Sequence, residues 1–296
     1  MASRRAIFTY TVLALIVVGA LVLRTAWTIP AAREAGTFVL GESDAYYHKR
    51  GVDHAQEDWT QLRADPMLNY PIGDVNPNPP FSDWIVAAGG VVAAPLWGGD
   101  TDEATWWLFM YEPSFFAALA AIPVFLITRR LVGTAGGLAA AFLLATSIQN
   151  MNRSHLGFSD HDSMQLFFTV LGFYFVLRAL DLSPSPGEPR DPGGLLRDWP
   201  GWLKDTNAGG YAVLAGASFG ALALIWKGFP YAFGVLLVFA VVQMVLDHGR
   251  RRDVSHTVYA VTTPLVVALL MAAPYYFGFG LANFFTPALF LAAVVL

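Results

Sequence analysis

The sequence predicts an all-α, polytopic membrane protein with a large external first loop. Three observations carry this expectation. Of the 296 residues, 55% are hydrophobic and only 14% charged, and the mean hydropathy is +0.49, more than a soluble core requires. Apolar runs near the length of about 20 residues that crosses a bilayer recur along the chain. Basic residues gather between those runs, at Arg4-Arg5, Arg129-Arg130, Arg190/Arg197/Lys204 and Arg250-Arg251-Arg252. The net charge of -4 favours neither an acidic nor a basic partner, and no basic stripe suggests nucleic acid. Six histidines lack zinc-like spacing, and the absence of cysteine excludes disulfides and thiol chemistry.

Residues 1–29 form the first predicted transmembrane helix. The paired Arg4-Arg5 before Ala6 to Leu23 also fits a secretory signal, but the apolar run is longer than a signal core, so an uncleaved span is expected. Arg24 lies near enough to its outer end to snorkel. Residues 30–105 read as one loop, marked aqueous by Asp44, Asp53, Asp58, Asp65, Asp74 and Asp83, with turns at Tyr70-Pro71-Ile72-Gly73 and Asn76-Pro77-Asn78-Pro79-Pro80. The apolar run 83–97 is short for a span. If it crossed, the later basic segments would lie opposite Arg4-Arg5; if it does not, all basic segments share one side. Cytoplasmic loops concentrate Lys and Arg, so 83–97 is expected as a surface or re-entrant helix in an external loop.

Residues 106–296 are expected to form a helical bundle. Trp106 to Ile127 runs inward, with Trp106, Trp107 and Tyr111 as interfacial aromatics and the helix proper beginning at Glu112-Pro113. A charge such as Glu112 costs about 2.5–3.5 kcal/mol at a helix centre, which places it at the external edge. Leu131 to Ile148 runs outward, and Gly136-Gly137 suits close packing. An external loop at 149–163 precedes the inward run Met164 to Leu180. Residues 181–208 read as a cytoplasmic loop broken by Ser183-Pro184-Ser185-Pro186-Gly187. Tyr211 to Trp226, Tyr231 to Leu246 and Val258 to Phe277 alternate, and Leu281 to Leu296 stops without a polar flank, which reads as a truncated chain.

The most polar short stretch between long apolar runs is Asn152 to Asp162, which holds Arg153, Asp160 and Asp162. Carboxylates beside a membrane persist where a cation, partner or water compensates them. An Asp-x-Asp pair suits a hard divalent ion that prefers oxygen ligands; its plainer reading is a solvated turn capping the next helix. The expected topology puts this stretch on the same face as Glu42 and Asp44. Asp44, Asp160 and Asp162 would suffice for one ion, with Glu42 in the outer shell. His161 is expected to point outward to solvent, and His48 and His155 read as loop or interface histidines. Asn152-Arg153-Ser154 is itself a glycosylation sequon.

Several motifs in order carry a resemblance: Asp44-Ala45-Tyr46-Tyr47 with Arg50; Tyr70-Pro71 with Gly73, and Pro79-Pro80; Ile122-Pro123-Val124-Phe125 through Arg129-Arg130-Leu131; Gly136 to Ala140; Asn152-Arg153-Ser154, Gly157 and Asp160-His161-Asp162; and Trp226-Lys227-Gly228 with Tyr231. Together they resemble the catalytic subunit of oligosaccharyltransferase in its archaeal form, over most of the chain. The resemblance implies a glycosyltransferase C-like fold. It also implies transfer of a glycan from a polyprenyl (dolichyl) phosphate or diphosphate carrier to Asn of Asn-x-Ser/Thr sequons. Asp44, Asp160 and Asp162 match the family's metal-site carboxylates, for Mg²⁺ or Mn²⁺. A carboxamide nitrogen is a poor nucleophile because its lone pair is delocalised, and carboxylates accepting its N–H bonds weaken that conjugation. The leaving phosphate needs positive charge. Arg153 has two readings of equal weight, as that charge or as a partner of Asp160 or Asp162 that orders the loop. Asn152-Arg153-Ser154 is then site architecture, not an acceptor.

The family's later catalytic Glu and its Trp-Trp-Asp sequon-binding motif have no counterpart in the chain, so it is expected to be inactive alone. The expected partners are the lipid-linked oligosaccharide, an acceptor polypeptide and the bilayer, in a multi-pass cell-membrane protein with a cytoplasmic amino terminus and an external site. Two alternatives fit the same residues: another polyprenyl-phosphate-dependent transferase resembling protein O-mannosyltransferases, and a cation transporter using the three aspartates. The spans hold few ionisable residues, which speaks against a midplane transport site.

Overall fold

Helix α1 (Arg4–Thr25) is an apolar rod of 22 residues, about 33 Å long at the α-helical rise. The computed structural model describes residues 4–26, 29, 40–183, 192–205 and 207–295. Most of the breaker Ser183-Pro184-Ser185-Pro186-Gly187, together with Arg190 and the stretch 30–39, lies outside them. After α1 come α2 (Ser43–Asp58), a two-residue hairpin of β1 (Ala64–Asp65) and β2 (Asp74–Val75), and α3 (Phe81–Ala93) with a 3₁₀ turn at Ala94–Trp97. Then follow α4 (Thr101–Leu119), α5 (Ala121–Thr146), α6 (Ile148–Asn152), α7 (Asp162–Leu182), α8 (Pro192–Asp205), α9 (Asn207–Ala223), α10 (Pro230–Gly249), α11 (Ser255–Gly278) and α12 (Ala282–Val295). Among the described residues, five stretches are long and apolar enough to cross a membrane: α1, the α4–α5 run, α7, α10 and α11. The fold class is the expected one, a multi-pass helical membrane protein. The chain divides into two compact units, Met1–Phe167 and Phe168–Leu296.

In the first unit, α4 begins earlier than expected. Asp100 caps it by accepting the Glu103 N–H at 2.9 Å, and Asp102 and Glu103 complement the positive helix end. Glu112 is therefore an interior residue of the helix and is buried, and Pro113 lies inside the helix instead of opening it. Pro123, which has no N–H to offer Leu119, marks the seam between α4 and α5. Within α5 the backbone leaves the helical region at Val132 and Gly133, and Gly133 takes φ 82° and ψ 178°, a conformation open essentially to glycine. The chain reverses there. A Cβ on Gly137 would stand 2.9 Å from the Phe125 carbonyl oxygen, so the returning segment lies directly on the outgoing one. Leu13 of α1 joins Ala121, Phe125 and Ala141 in one cluster, and Ala20 joins Ala118 and Ala145 in another. That pairing is the register of an antiparallel hairpin packed on α1.

The first loop is folded. α2 buries Ala45, His48, Gly51, Val52 and Ala55, one stripe at helical spacing, and α3 buries Ser82, Asp83, Val86, Ala87 and Gly90. Arg50 pairs with Asp65, fixing the hairpin to α2. The hairpin pairs Ala64 with Val75 and Asp65 with Asp74.

In the second unit, Phe219, Phe229, Phe233, Leu265, Tyr276 and Phe285 form a buried core of α9 to α12. The span expected to be a loop, 181–208, contains helix α8, whose Trp202 is buried with Tyr259. Trp199 Nε1 donates to Thr263 Oγ1 at 2.9 Å, and Tyr259 Oη donates to the Leu195 carbonyl at 2.8 Å. Docking of one aromatic face outweighs the Pro and Gly that made this stretch read as irregular.

Candidate metal centre

The candidate centre lies in the first unit, where Leu40 to Glu42 and the stretch Arg153 to Asp162 meet. Backbone bonds fix the meeting. Gly41 N–H donates to the Gly157 carbonyl at 2.9 Å, Leu156 N–H to Arg24 at 3.1 Å and Gly157 N–H to Met110 at 3.0 Å. Pro113 leaves the carbonyl four residues earlier, that of Phe109, without its helical donor; Ser159 Oγ donates to it at 2.7 Å. Ser114 Oγ donates to the Ser154 carbonyl at 2.9 Å. Arg24 does not snorkel. It is 1% exposed and donates to Ser154 Oγ at 2.7 Å, to the Ala20 and Ala145 carbonyls at 2.9 Å each, and to Asn150 Oδ1. A guanidinium fans donors that no lipid headgroup needs to complete, and the carbonyl ends of α1 and α5 attract its charge.

On this frame Glu42, Asp44 and Asp160 each bring a carboxylate oxygen within 4.8 Å of the others. Asp44 is exposed in the first turn of α2, Glu42 is half-buried at its N-cap, and Asp160 is buried. Oε1 of Glu42 is buried without a hydrogen-bond partner. Burial, then the Asp160 and Asp44 charges, push the Glu42 carboxyl above its ordinary range. Three mutually repelling oxygens, one of them orphaned, fit a hard cation that takes oxygen ligands. Glu42, expected from the sequence in an outer shell, stands within the same 4.8 Å as Asp44 and Asp160.

Behind Asp160 is a second layer. His48 Nδ1 lies 2.8 Å from Asp83 Oδ1; His48 Nε2 lies 3.3 Å from His161 Nδ1 and 3.6 Å from Asp160 Oδ1. Burial alone would lower the His48 pKa, but the Asp83 charge and the bonds to Asp160 and Asp83 outweigh it and raise the value to about 10. Burial likewise works to raise Asp160, and the hydrogen bonds from His161 and His48 hold it well below the carboxylate range. His48, Asp160 and His161 form a second group of possible ligands. Both His48 nitrogens and His161 Nδ1 already face Asp83, Asp160 or each other, so the all-oxygen group fits an ion better.

Asp162 and Arg153 border these groups, near enough for both their charges to act on Glu42. Asp162 belongs to neither of the two clusters among the described residues; its Oδ2 lies 3.4 Å from Arg153 Nη1. Arg153 is half-exposed and its guanidinium lies 5.6 Å over the Phe158 ring. His161 turns inward, its Nδ1 2.6 Å from Asp160 Oδ1, instead of outward to solvent. Sequence reasoning missed His48 and Asp83. A signal existed for His48, four residues after Asp44 and so on the same face of one helix. None existed for Asp83, which reaches His48 across 35 residues.

Comparison with known proteins gives the geometry a context. The chain is 29% identical over 273 residues to the dolichyl-monophosphooligosaccharide–protein glycotransferase AglB of Haloferax volcanii, covering 88% of this chain and 25% of that protein. It aligns at a TM-score of 0.72 and 22% identity with the Archaeoglobus fulgidus oligosaccharyltransferase AglB solved with an inhibitory peptide and a dolichol-phosphate, covering 97% of this chain and 32% of that one. A structure of the A. fulgidus oligosaccharyltransferase holding zinc and sulfate aligns at 0.70 and 22% identity, over 96% and 35%. The structural matches establish a shared fold, and the chain spans about a quarter to a third of the length of these relatives. Residues 10–294 match the family model for the N-terminal part of oligosaccharyl transferase STT3, and the chain belongs to that family.

Proposed function

We propose that this chain forms the metal site of a membrane enzyme that transfers a glycan from a dolichyl phosphate or diphosphate carrier to Asn of Asn-x-Ser/Thr sequons. The observation that carries the reading is the meeting of Glu42, Asp44 and Asp160 within 4.8 Å, from segments more than 100 residues apart, in a chain of the STT3 family. Names and ligands of the relatives support the donor and acceptor: a dolichyl-monophosphooligosaccharide–protein glycotransferase, a structure with dolichol-phosphate, and one tethered to an acceptor peptide containing an NVT sequon.

Glu42, Asp44 and Asp160 would hold the ion, Mg²⁺ or Mn²⁺. Once bound, the ion supplies Lewis-acid charge for the departing lipid phosphate. Asp44, exposed at the start of α2, accepts an N–H of the acceptor carboxamide and draws its lone pair out of conjugation. Asp162 holds Arg153 beside the acidic group, and the half-exposed guanidinium contributes fixed positive charge to the phosphate. The buried carbonyls of Phe109 and Met110 hold the site stretch rigid through Ser159 and Gly157. In this reading the amino terminus and the Arg129-Arg130 turn are cytoplasmic and the site is external. The domain plan is a first span, an external folded loop carrying α2 and α3, and a bundle.

Mn²⁺ titration of the detergent-purified chain, followed by the loss of the free-ion EPR signal, tests the reading. One ion per chain is expected, with affinity falling by more than about tenfold in Asp44→Asn and in Asp160→Asn. Retention of dolichyl phosphate is expected to depend on that ion. Unchanged Mn²⁺ affinity in both variants would remove the basis for the site.

A further inference from the structure

We infer that His48, braced by Asp83, is a positioning residue that fixes which oxygen Asp160 presents to the ion; this rests on the proposed metal reading. The donors around Asp160 are one-sided. Oδ1 accepts the His161 backbone N–H at 2.7 Å, lies 2.6 Å from His161 Nδ1 and faces His48 Nε2 at 3.6 Å. With Oδ1 held by donors, Oδ2 is the oxygen left for Glu42, Asp44 and a shared cation. A carboxylate held at one oxygen is a preoriented single-oxygen ligand, and such outer contacts tune both affinity and geometry.

The brace is built into three elements. His48 follows Asp44 by one helical turn of α2, so one helix carries both an ion ligand and the support for another. Asp83 comes from the first turn of α3, 2.8 Å from His48 Nδ1. Its approach requires Gly51: a Cβ there would lie 2.3 Å from Asp83 Oδ2. His48 and Asp83 are both buried, and the small cavity around them is also lined by Ser82, Glu112 and Ser159. The His48 and His161 rings meet edge-on, with centroids 5.4 Å apart, so displacing one displaces the other. The hairpin core of Leu13, Ala121, Phe125 and Ala141 includes none of these residues.

The test is a double-mutant cycle on the whole chain with Mn²⁺ as the probe, using His48→Gln, Asp83→Asn and the pair. Each single variant is expected to weaken Mn²⁺ binding by about tenfold and to alter the zero-field splitting of bound Mn²⁺. The double variant is expected to match the singles, because the two residues act as one unit. Phe233→Leu, in the core of the other unit, controls for general loss of stability; it should lower the melting temperature and leave Mn²⁺ affinity unchanged. Gly51→Ala should reproduce Asp83→Asn. Wild-type affinity and EPR line shape in His48→Gln and Asp83→Asn, with binding still lost in Asp160→Asn, overturns this inference and spares the metal site. So does a loss that Phe233→Leu reproduces at equal melting temperature. Failure of the unchanged chain to bind Mn²⁺ overturns both.

Discussion

At the end of α1, Arg24 has almost no solvent contact and donates to groups of α1, α5, α6 and the site stretch. Its worth lies in the acceptors it satisfies: without it, the Ala145 carbonyl, Asn150 and Ser154 lose a charged donor in a dry setting, and buried unsatisfied groups cost about 1–3 kcal/mol each. Arg24→Met is therefore expected to lower stability by roughly 3 kcal/mol and to loosen the turn that carries Asp160. Arg24→Lys should recover only part of this, because an ammonium cannot reproduce the planar fork. Thermal unfolding of both variants in detergent checks the order, and a Met variant that melts with the parent would contradict it. Asp65 gives a pH prediction. Burial works to raise its carboxyl, but the Arg50 bond and charge and the Met67 and Leu68 N–H groups hold it below its ordinary value. A carboxylate depressed in the folded state adds stability above its unfolded pKa of about 3.9 and loses it as pH falls further. The melting temperature is thus expected to drop below about pH 4, and Asp65→Asn should start lower at neutral pH and lose less on acidification.

The helices differ in how openly they announce themselves. Spans such as α10 and α11 are uninterrupted apolar runs, and their expected and observed limits agree within a few residues. α8 was hidden by its prolines and glycines, although Leu195, Trp199 and Trp202 recur at helical spacing and are the residues that dock on α11. The hairpin of α4 and α5 shows why a turn needs more than charge to be located. Arg129-Arg130 marked the reversal, but the bend itself falls at Val132–Gly133. Gly133→Ala puts a side chain where φ is 82° and ψ 178°, a strain of about 1–3 kcal/mol. Nothing lies within 4 Å of the added carbon, so conformation alone sets the cost. The expected result is a lower melting temperature with unchanged helical content by circular dichroism; a stabilised variant would mean the turn relaxes freely.

For the molecule as a whole, hydrophobicity and charge made the membrane class legible, because the bilayer imposes length and polarity rules that act locally on sequence. Asp44, Asp160 and Asp162 were legible as candidates because carboxylates beside apolar runs demand compensation. What stayed hidden was which of them converge. Glu42 stands with Asp44 and Asp160, and Asp83 reaches His48 from a distant helix; these pairings span the sequence and no local pattern encodes them, whereas the Arg153–Asp162 pair is local and is one of the two expected readings of Arg153. The first unit also separates its charges along α1. Arg129 reaches Tyr10 Oη at 3.2 Å near one end, whereas Arg24 and the site stretch lie at the other. Four arginines, Arg4, Arg5, Arg129 and Arg130, therefore share the end away from the acidic group. In the proposed topology, which rests on cytoplasmic enrichment of basic residues, the hairpin β1–β2 is outside and the α5 reversal inside. Because the chain has no cysteine, single cysteines report on this without background. In sealed right-side-out vesicles, Asp74→Cys, on the exposed β2, should react with a membrane-impermeant maleimide at once. Arg130→Cys, exposed beside the reversal, should react only after the vesicles are opened. Equal labelling of both before opening would place the acidic group and the arginines on one side, and the external assignment of the site would have to be abandoned.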